Sequence, residues 1–181
     1  MKNFGFKITV ATAMVLGMVS FASLAIVAAE HTHLRARLKS FNETPATLVT
    51  DGIGTFTATV DSDTSITFKL SYSNLSAPIV QSHIHVGATK LSGGVALFLC
   101  GPAGSPAHTT CPNDTTNSGT VTGTLTAADV IINGQGIKPG EFAKVLRAIA
   151  NGDTYVNVHT TAFPGGEIRG QVATRENEDD E

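Results

Sequence analysis

The sequence lacks the short motifs that mark most catalytic centres. It has no GxSxG nucleophile elbow, no HExxH helix, no glycine-rich phosphate loop and no pair of carboxylates in a recognisable motif. Basic residues are also few: of 12 lysines and arginines, Lys2 and Lys7 fall in the first 29 residues, which leaves 10 against 15 acids. That balance argues against nucleic acid as a partner. These absences favour a binding module over an enzyme.

The first 29 residues predict an export signal. Lys2 and Lys7 give a positive start, and residues 8–28 form an uncharged, mostly apolar run. Small residues at Ala28 and Ala29 favour cleavage before Glu30, and the run is also long enough for an uncleaved membrane anchor. We therefore expect a secreted, periplasmic or cell-surface protein that meets a membrane, if at all, only through this segment.

The remainder predicts one domain, residues 30–174, followed by an acidic tail, residues 175–181. Acids fill five of the last six positions, which is typical of a solvated, disordered segment. The two cysteines, Cys100 and Cys111, flank a loop rich in Gly, Pro, Ser and Thr, and their spacing is not that of a CxxC metal site. In an oxidising compartment we expect them to form a disulfide, which contributes roughly 3 kcal/mol in the chain-entropy model.

Alternating apolar and polar residues predict a fold made mostly of strands. One segment, residues 139–151, has helical spacing instead, with Pro139 at its start and Gly152 just past its end. The pattern favours an all-β fold, an immunoglobulin-like or superoxide-dismutase-like β-sandwich or a barrel of about eight strands, with one short helix. The eight expected strands are residues 33–39, 53–60, 65–72, 79–86, 94–99, 119–125, 154–161 and 167–173.

Four stretches together resemble the CHRD (chordin) domain, in particular its prokaryotic, exported, single-domain members. They are residues 38–45 (LKSFNETP), 54–60 (GTFTATV), 83–87 (HIHVG) and 155–171 (YVNVHTTAFPGGEIRGQ), in matching order along residues 33–173. The resemblance implies a β-sandwich or barrel-like extracellular domain with a role in binding. In chordin such domains belong to a protein that sequesters growth factors, so the implied partner here is an extracellular or envelope protein or polymer.

Three histidines on predicted strands are candidate metal ligands. His83 and His85 alternate with Ile84 and Val86, so both imidazoles point to one face of their strand. His159 lies on the polar face of another strand. After the turn at Pro164, Gly165 and Gly166, that strand pairs with the next as a hairpin. If the strand of His83 lies beside this hairpin, the three histidines converge, with Asn157, Glu167 and Arg169 nearby.

Such a cluster has two interpretations. Neutral imidazoles are good ligands for copper or zinc, with a fourth position left for water or substrate. Alternatively, the imidazoles donate to backbone carbonyls or to Glu167 and form a structural polar layer. Glu167 and Arg169 likewise form either an ion pair that orients the hairpin or a support behind a metal.

Three functions follow from these interpretations. The first is an exported module that binds a partner protein or surface component. The second is a copper- or zinc-binding protein of the cell envelope that uses His83, His85 and His159. The third is an enzyme like Cu/Zn superoxide dismutase, which the chain fits poorly because it has only six histidines and no glycine- and histidine-rich zinc loop.

Overall fold

The computed structural model describes residues 32–107, 109–112, 116–131 and 134–175. The predicted export signal and residues 176–181 lie outside the described residues. Nine strands and one α-helix are present in this part of the chain. The strands are β1 His33–Lys39, β2 Ile53–Ser62, β3 Ser65–Ser73, β4 Ile79–Val86, β5 Val95–Cys100, β6 Gly119–Thr126, β7 Thr154–Thr160, β8 Ile168–Gln171 and β9 Ala173–Arg175, and the helix is α1 Phe142–Ala150.

The strands form one antiparallel sheet that curls into a nearly closed barrel. Their order is β5-β4-β7-β8-β1-β2-β3-β6, and β9 pairs with β1 on the same side as β8. The two edge strands, β5 and β6, contact each other, so the sheet folds back on itself. The predicted all-β fold with one short helix is confirmed.

The barrel interior is the hydrophobic core, and it is built by the predicted alternation. In β1, for example, Leu34, Ala36 and Leu38 are buried while the residues between them face outward. The amphipathic helix α1 adds Phe142, Val145 and Ile149 to the same core. Each large apolar side chain removed from water contributes about 1.5 to 3 kcal/mol. Because one face of each strand is occupied by core side chains, a functional site can use only the opposite face.

The cysteines lie where β5 leaves the barrel. Cys100 and Cys111 are bonded to each other, and both are buried. The bond closes the loop that follows β5, next to a single bridge between Gly101 and Thr110. The predicted disulfide is thus present. Within the described residues, no helix is long and apolar enough to cross a membrane.

Candidate metal centre

The strands β4 and β7 are neighbours, and their pairing brings the candidate histidines together. The register sets His83 opposite Asn157, His85 opposite Tyr155 and Gln81 opposite His159. Ile84 points the other way and is fully buried in the core. Since side chains alternate along a strand, all three imidazoles share the face of the sheet that is turned away from the core.

The three histidines are close enough to hold one metal ion. One ring nitrogen from each can be chosen so that all lie within 4.8 Å of one another. His83 Nδ1 and His159 Nε2 are 3.2 Å apart. The side chains are 3 to 9% exposed, so the cluster is buried.

Backbone carbonyls fix the tautomers of two of these rings. His85 Nδ1 lies 2.9 Å from the Gly93 carbonyl, and His159 Nδ1 lies 2.9 Å from the Pro164 carbonyl. A carbonyl only accepts hydrogen bonds, so Nδ1 carries the proton in both rings and Nε2 keeps its lone pair. His83 Nδ1 then donates to His159 Nε2. The Nε2 atoms of His83 and His85 are left without a hydrogen-bond partner among the described residues.

Burial keeps the imidazoles neutral, which is the form that ligates metals. Desolvation, reinforced by the neighbouring histidines, lowers the pKa of His83 to about 3. Desolvation also lowers the pKa of His85 to about 4, although the hydrogen bond to Gly93 opposes the shift. The pKa of His159 is lowered by burial as well, against the effect of the Pro164 carbonyl. At neutral pH the cluster therefore offers lone pairs and no positive charge of its own.

An aromatic and cationic stack supports His85. The Tyr155 ring stacks on the His85 ring with centroids 4.7 Å apart and planes 5° apart. The Arg169 guanidinium lies 3.4 Å from the Tyr155 centroid, a cation–π contact. Arg169 also donates to Thr44 Oγ1 and to the Leu91 carbonyl, each at 2.7 Å. The stack thereby fastens two covering segments, residues 40–48 and 87–94, over the histidines.

Two contacts of the cluster come from residues that sequence reasoning missed. Phe98, on β5, makes a T-shaped contact with the His83 ring, with centroids 4.3 Å apart. Gly93 supplies the carbonyl that orients His85, and its N–H donates to Tyr155 Oη. A side chain at Gly93 would overlap the Val86 carbonyl, so only glycine fits there. Its place in a Gly-Gly pair just after the HIH strand is the signal that could have found it.

A third missed residue is Glu43, an acid buried beside the histidine layer. It is 3% exposed, and Asn157 Nδ2 donates to its Oε2 at 3.4 Å. Desolvation raises the pKa of Glu43 to about 7, even though the Arg169 charge and the Asn157 hydrogen bond act in the opposite direction. The residue lies in the LKSFNETP stretch, just after β1. The apolar–polar alternation of the strand has ended there, so it does not predict that Glu43 is buried. It can exchange a proton near neutral pH.

Of the two interpretations of Glu167 and Arg169, the ion pair is not observed, because the two side chains bond to different partners. Glu167 is fully buried and accepts hydrogen bonds from Thr50, Ser76 and Thr160. Arg169 uses its donors on the covering segments instead. The reason is local: Glu167 follows Gly166, whose φ is +124°, and precedes the first residue of β8, so strand alternation does not place its side chain. Asn157 and Arg169 do lie beside the histidines. Glu167 instead joins the segments that contain its three hydrogen-bond donors.

The depressed histidine pKa values predict an acid-sensitive fold in the absence of metal. Between pH 6.5 and about 4 the unfolded chain binds protons at these histidines and the folded chain does not, so the free energy of unfolding falls as the pH falls. Glu43 opposes this between pH 7 and 4.5, because its raised pKa lets the folded state bind the extra proton. The three imidazoles affect the free energy of unfolding more than the single carboxyl does. We therefore expect the free energy of unfolding to fall by about 1 to 3 kcal/mol for each unit by which the pH is lowered.

Urea unfolding from pH 7 to 5 with a chelator present, followed by circular dichroism, measures this slope. Glu43→Gln is expected to steepen it because the opposing group is removed. The exposed His33 provides a comparison variant, His33→Gln, which removes one histidine and leaves the buried cluster intact. A stability that is flat, or that rises as the pH falls from 6.5 to 5, contradicts the prediction.

Fold and site together define an all-β, disulfide-bonded barrel domain with a buried three-histidine cluster on its outer wall. The model of the CHRD domain family matches residues 34–172, and the chain belongs to that family. No curated protein and no solved structure matches the chain. A CHRD domain with a disulfide fits an extracellular location. Export and a prokaryotic source remain predictions from the sequence.

Proposed function

We propose that this CHRD domain binds one copper or zinc ion through His83, His85 and His159. The observation that carries the proposal is the buried group of three neutral imidazoles, with ligand nitrogens within 4.8 Å of one another and two Nε2 atoms without a partner. The hydrogen bonds to Gly93 and Pro164 aim two of the rings, as the outer hydrogen bonds of metal-binding histidines commonly do.

A purely structural polar layer accounts less well for the same contacts. Buried polar atoms in folded proteins are nearly all hydrogen-bonded, and an unsatisfied one costs about 1 to 3 kcal/mol. A structural layer would pair the Nε2 atoms of His83 and His85 with donors. The alternative in which Glu167 accepts from the imidazoles is not supported, since its hydrogen bonds go to Thr50, Ser76 and Thr160.

The set of donors favours a borderline metal. Imidazole suits zinc and copper, whereas calcium and magnesium prefer oxygen ligands. The cysteines are committed to their disulfide, so no thiolate competes for the ion. Among the described residues the cluster contains three histidines and no fourth protein ligand. Such sets are typical of sites whose last position holds water or a substrate. When bound, such an ion would polarise a molecule at that position.

The test is the metal content of protein isolated from its native compartment without a chelator or a histidine tag. Mass spectrometry is expected to find about one copper or zinc per chain, lost in the His83→Ala/His85→Ala/His159→Ala variant. His33→Ala is the matched control, because His33 is exposed and lies on β1, which is separated from β7 by β8 in the sheet. A folded protein that takes up neither metal after loading overturns the proposal and leaves the histidines as a polar layer.

A further inference from the structure

The outer face of β2, β3 and β6 is covered by short hydroxyl side chains. The pairing registers place these side chains in cross-strand rows, because every second residue of each strand points into the core. One row joins Thr59, Thr67 and Thr124. The next two rows are Thr57, Lys69 and Thr122, followed by Thr55, Ser71 and Thr120.

β1 extends these rows with positive charge. Its outward residues His33, Arg35 and Arg37 lie opposite Thr59, Thr57 and Thr55. The strands β1, β2, β3, β6 and β9 together carry five lysines and arginines and one acid, Asp61, which accepts a hydrogen bond from Thr67. The cations are Arg35, Arg37, Lys39, Lys69 and Arg175. The complete chain has a net charge of −3, so this face has the opposite sign to the molecule as a whole.

The face also carries an open pocket. Its volume is about 870 Å³, and the residues that line it include His33, Arg35, Thr57, Lys69, Thr122 and Arg175. Strands lie about 4.8 Å apart, so the four strands span roughly 14 Å. Hydroxyls such as those of Thr67 and Thr124 hydrogen-bond across the strands at 3.2 Å. Each hydroxyl both donates and accepts, which leaves exposed ones with capacity for a ligand.

We infer that this face binds an acidic polysaccharide. Arg35 and Lys69 can pair with carboxylate or sulfate groups, while the hydroxyl rows exchange hydrogen bonds with sugar hydroxyls. Nucleic acid fits less well, because single strands are held largely by stacking of bases on exposed aromatic rings. The aromatic residues of these strands, Phe56, Phe68 and Tyr72, are buried in the core. This surface is separate from the histidine cluster, which lies on β4 and β7.

The test measures binding of the full chain to dextran sulfate, with uncharged dextran of the same length alongside. The double variant Arg35→Gln/Lys69→Gln is expected to bind dextran sulfate at least about tenfold more weakly than the parent protein. Added salt should also weaken the binding of the parent protein to dextran sulfate, because it screens the charges. Lys138→Gln/Arg147→Gln removes the same charge from the helix side and should change affinity by less than about twofold. Thr57→Val/Thr122→Val, which keeps the charge, should also weaken binding.

Circular dichroism confirms that each variant is folded. The inference is overturned if the two charge variants bind alike, if the parent chain does not bind dextran sulfate at low salt, or if uncharged dextran binds equally well. Tighter binding to single-stranded DNA than to dextran sulfate at matched charge overturns the assignment to a polysaccharide.

Discussion

Zinc or copper is expected to raise the midpoint of thermal unfolding by about 8 to 16 °C. A ligand at a free concentration 1,000 times its dissociation constant stabilises the folded state by about 4 kcal/mol, provided that it does not bind the unfolded chain. For a domain of this size, each kcal/mol shifts the midpoint by about 2 to 4 °C. The unfolded chain cannot present the site, because His83 and His159 are brought together only by the pairing of β4 with β7.

Two variants separate this effect from nonspecific metal binding. His159→Ala should abolish the shift, because it removes one of the three proposed imidazole ligands. His33→Ala should keep the full shift. Calcium and magnesium provide a chemical control, since oxygen-preferring ions should leave the midpoint unchanged. An equal shift in His159→Ala and in the parent protein would mean that the metal binds elsewhere.

The turn after β7 organises the site from two sides. The Pro164 carbonyl orients His159, and Gly166 leaves the space that Asn157 and Glu43 occupy. A side chain at Gly166 would lie 2.7 Å from the Asn157 amide and 3.0 Å from the Glu43 carboxylate. This accounts physically for Gly166 in the Pro-Gly-Gly sequence, which is part of the stretch 155–171 that resembles the CHRD domain. The turn positions the polar residues beside His159 as well as reversing the chain.

Local sequence patterns carried most of the information about the strands. The alternation in Leu34, Ala36 and Leu38 reports a buried face directly, and the strands predicted around such triplets agree with the structure to within two residues at most ends. The segment 167–173 was expected as one strand but divides into β8 and β9. Val172 separates them: its N–H donates to the Thr154 carbonyl on β7, beside the pair of Tyr155 with Gln171, whereas Ala173 pairs with Arg35 on β1. This change of pairing partner along the segment depends on the positions of three strands, which a local sequence pattern does not report.

The alternation of apolar and polar residues along the strands predicted only part of the candidate site. Alternation placed His83 and His85 on one face, but their approach to His159 depends on a strand pairing between residues more than 70 positions apart. Glu43, Gly93 and Phe98 come from two covering loops and an edge strand, and apart from the Gly-Gly pair at Gly93 nothing in their local sequence points toward the histidines. The hydrogen-bond partners of Glu167 could not be predicted, because strand alternation does not hold within a turn. In each case the feature that local sequence could not predict is a long-range contact or a segment of irregular backbone.

Glu167→Ala is expected to lower the free energy of unfolding by about 3 kcal/mol or more. The side chain is fully buried and accepts four hydrogen bonds, two from Ser76 and one each from Thr50 and Thr160. These partners come from the segments before β2 and before β4 and from the end of β7, so one carboxylate joins three parts of the barrel. Truncation breaks the bonds, leaves their donors without an acceptor and creates a cavity.

Urea unfolding followed by far-ultraviolet circular dichroism measures this loss, because the chain contains no tryptophan to report it by fluorescence. Glu141→Ala is the matched control: Glu141 is partly exposed on the surface and pairs with Lys144 at 2.7 Å, so its removal should leave the unfolding curve nearly unchanged. Glu167→Gln should fall between the parent protein and the alanine variant, since the amide keeps the shape and one acceptor but replaces the other with a donor. If Glu167→Ala and Glu141→Ala unfold at the same urea concentration, the buried carboxylate does not hold the loops together, and the stability of this part of the barrel comes from the apolar core around Ile168 instead.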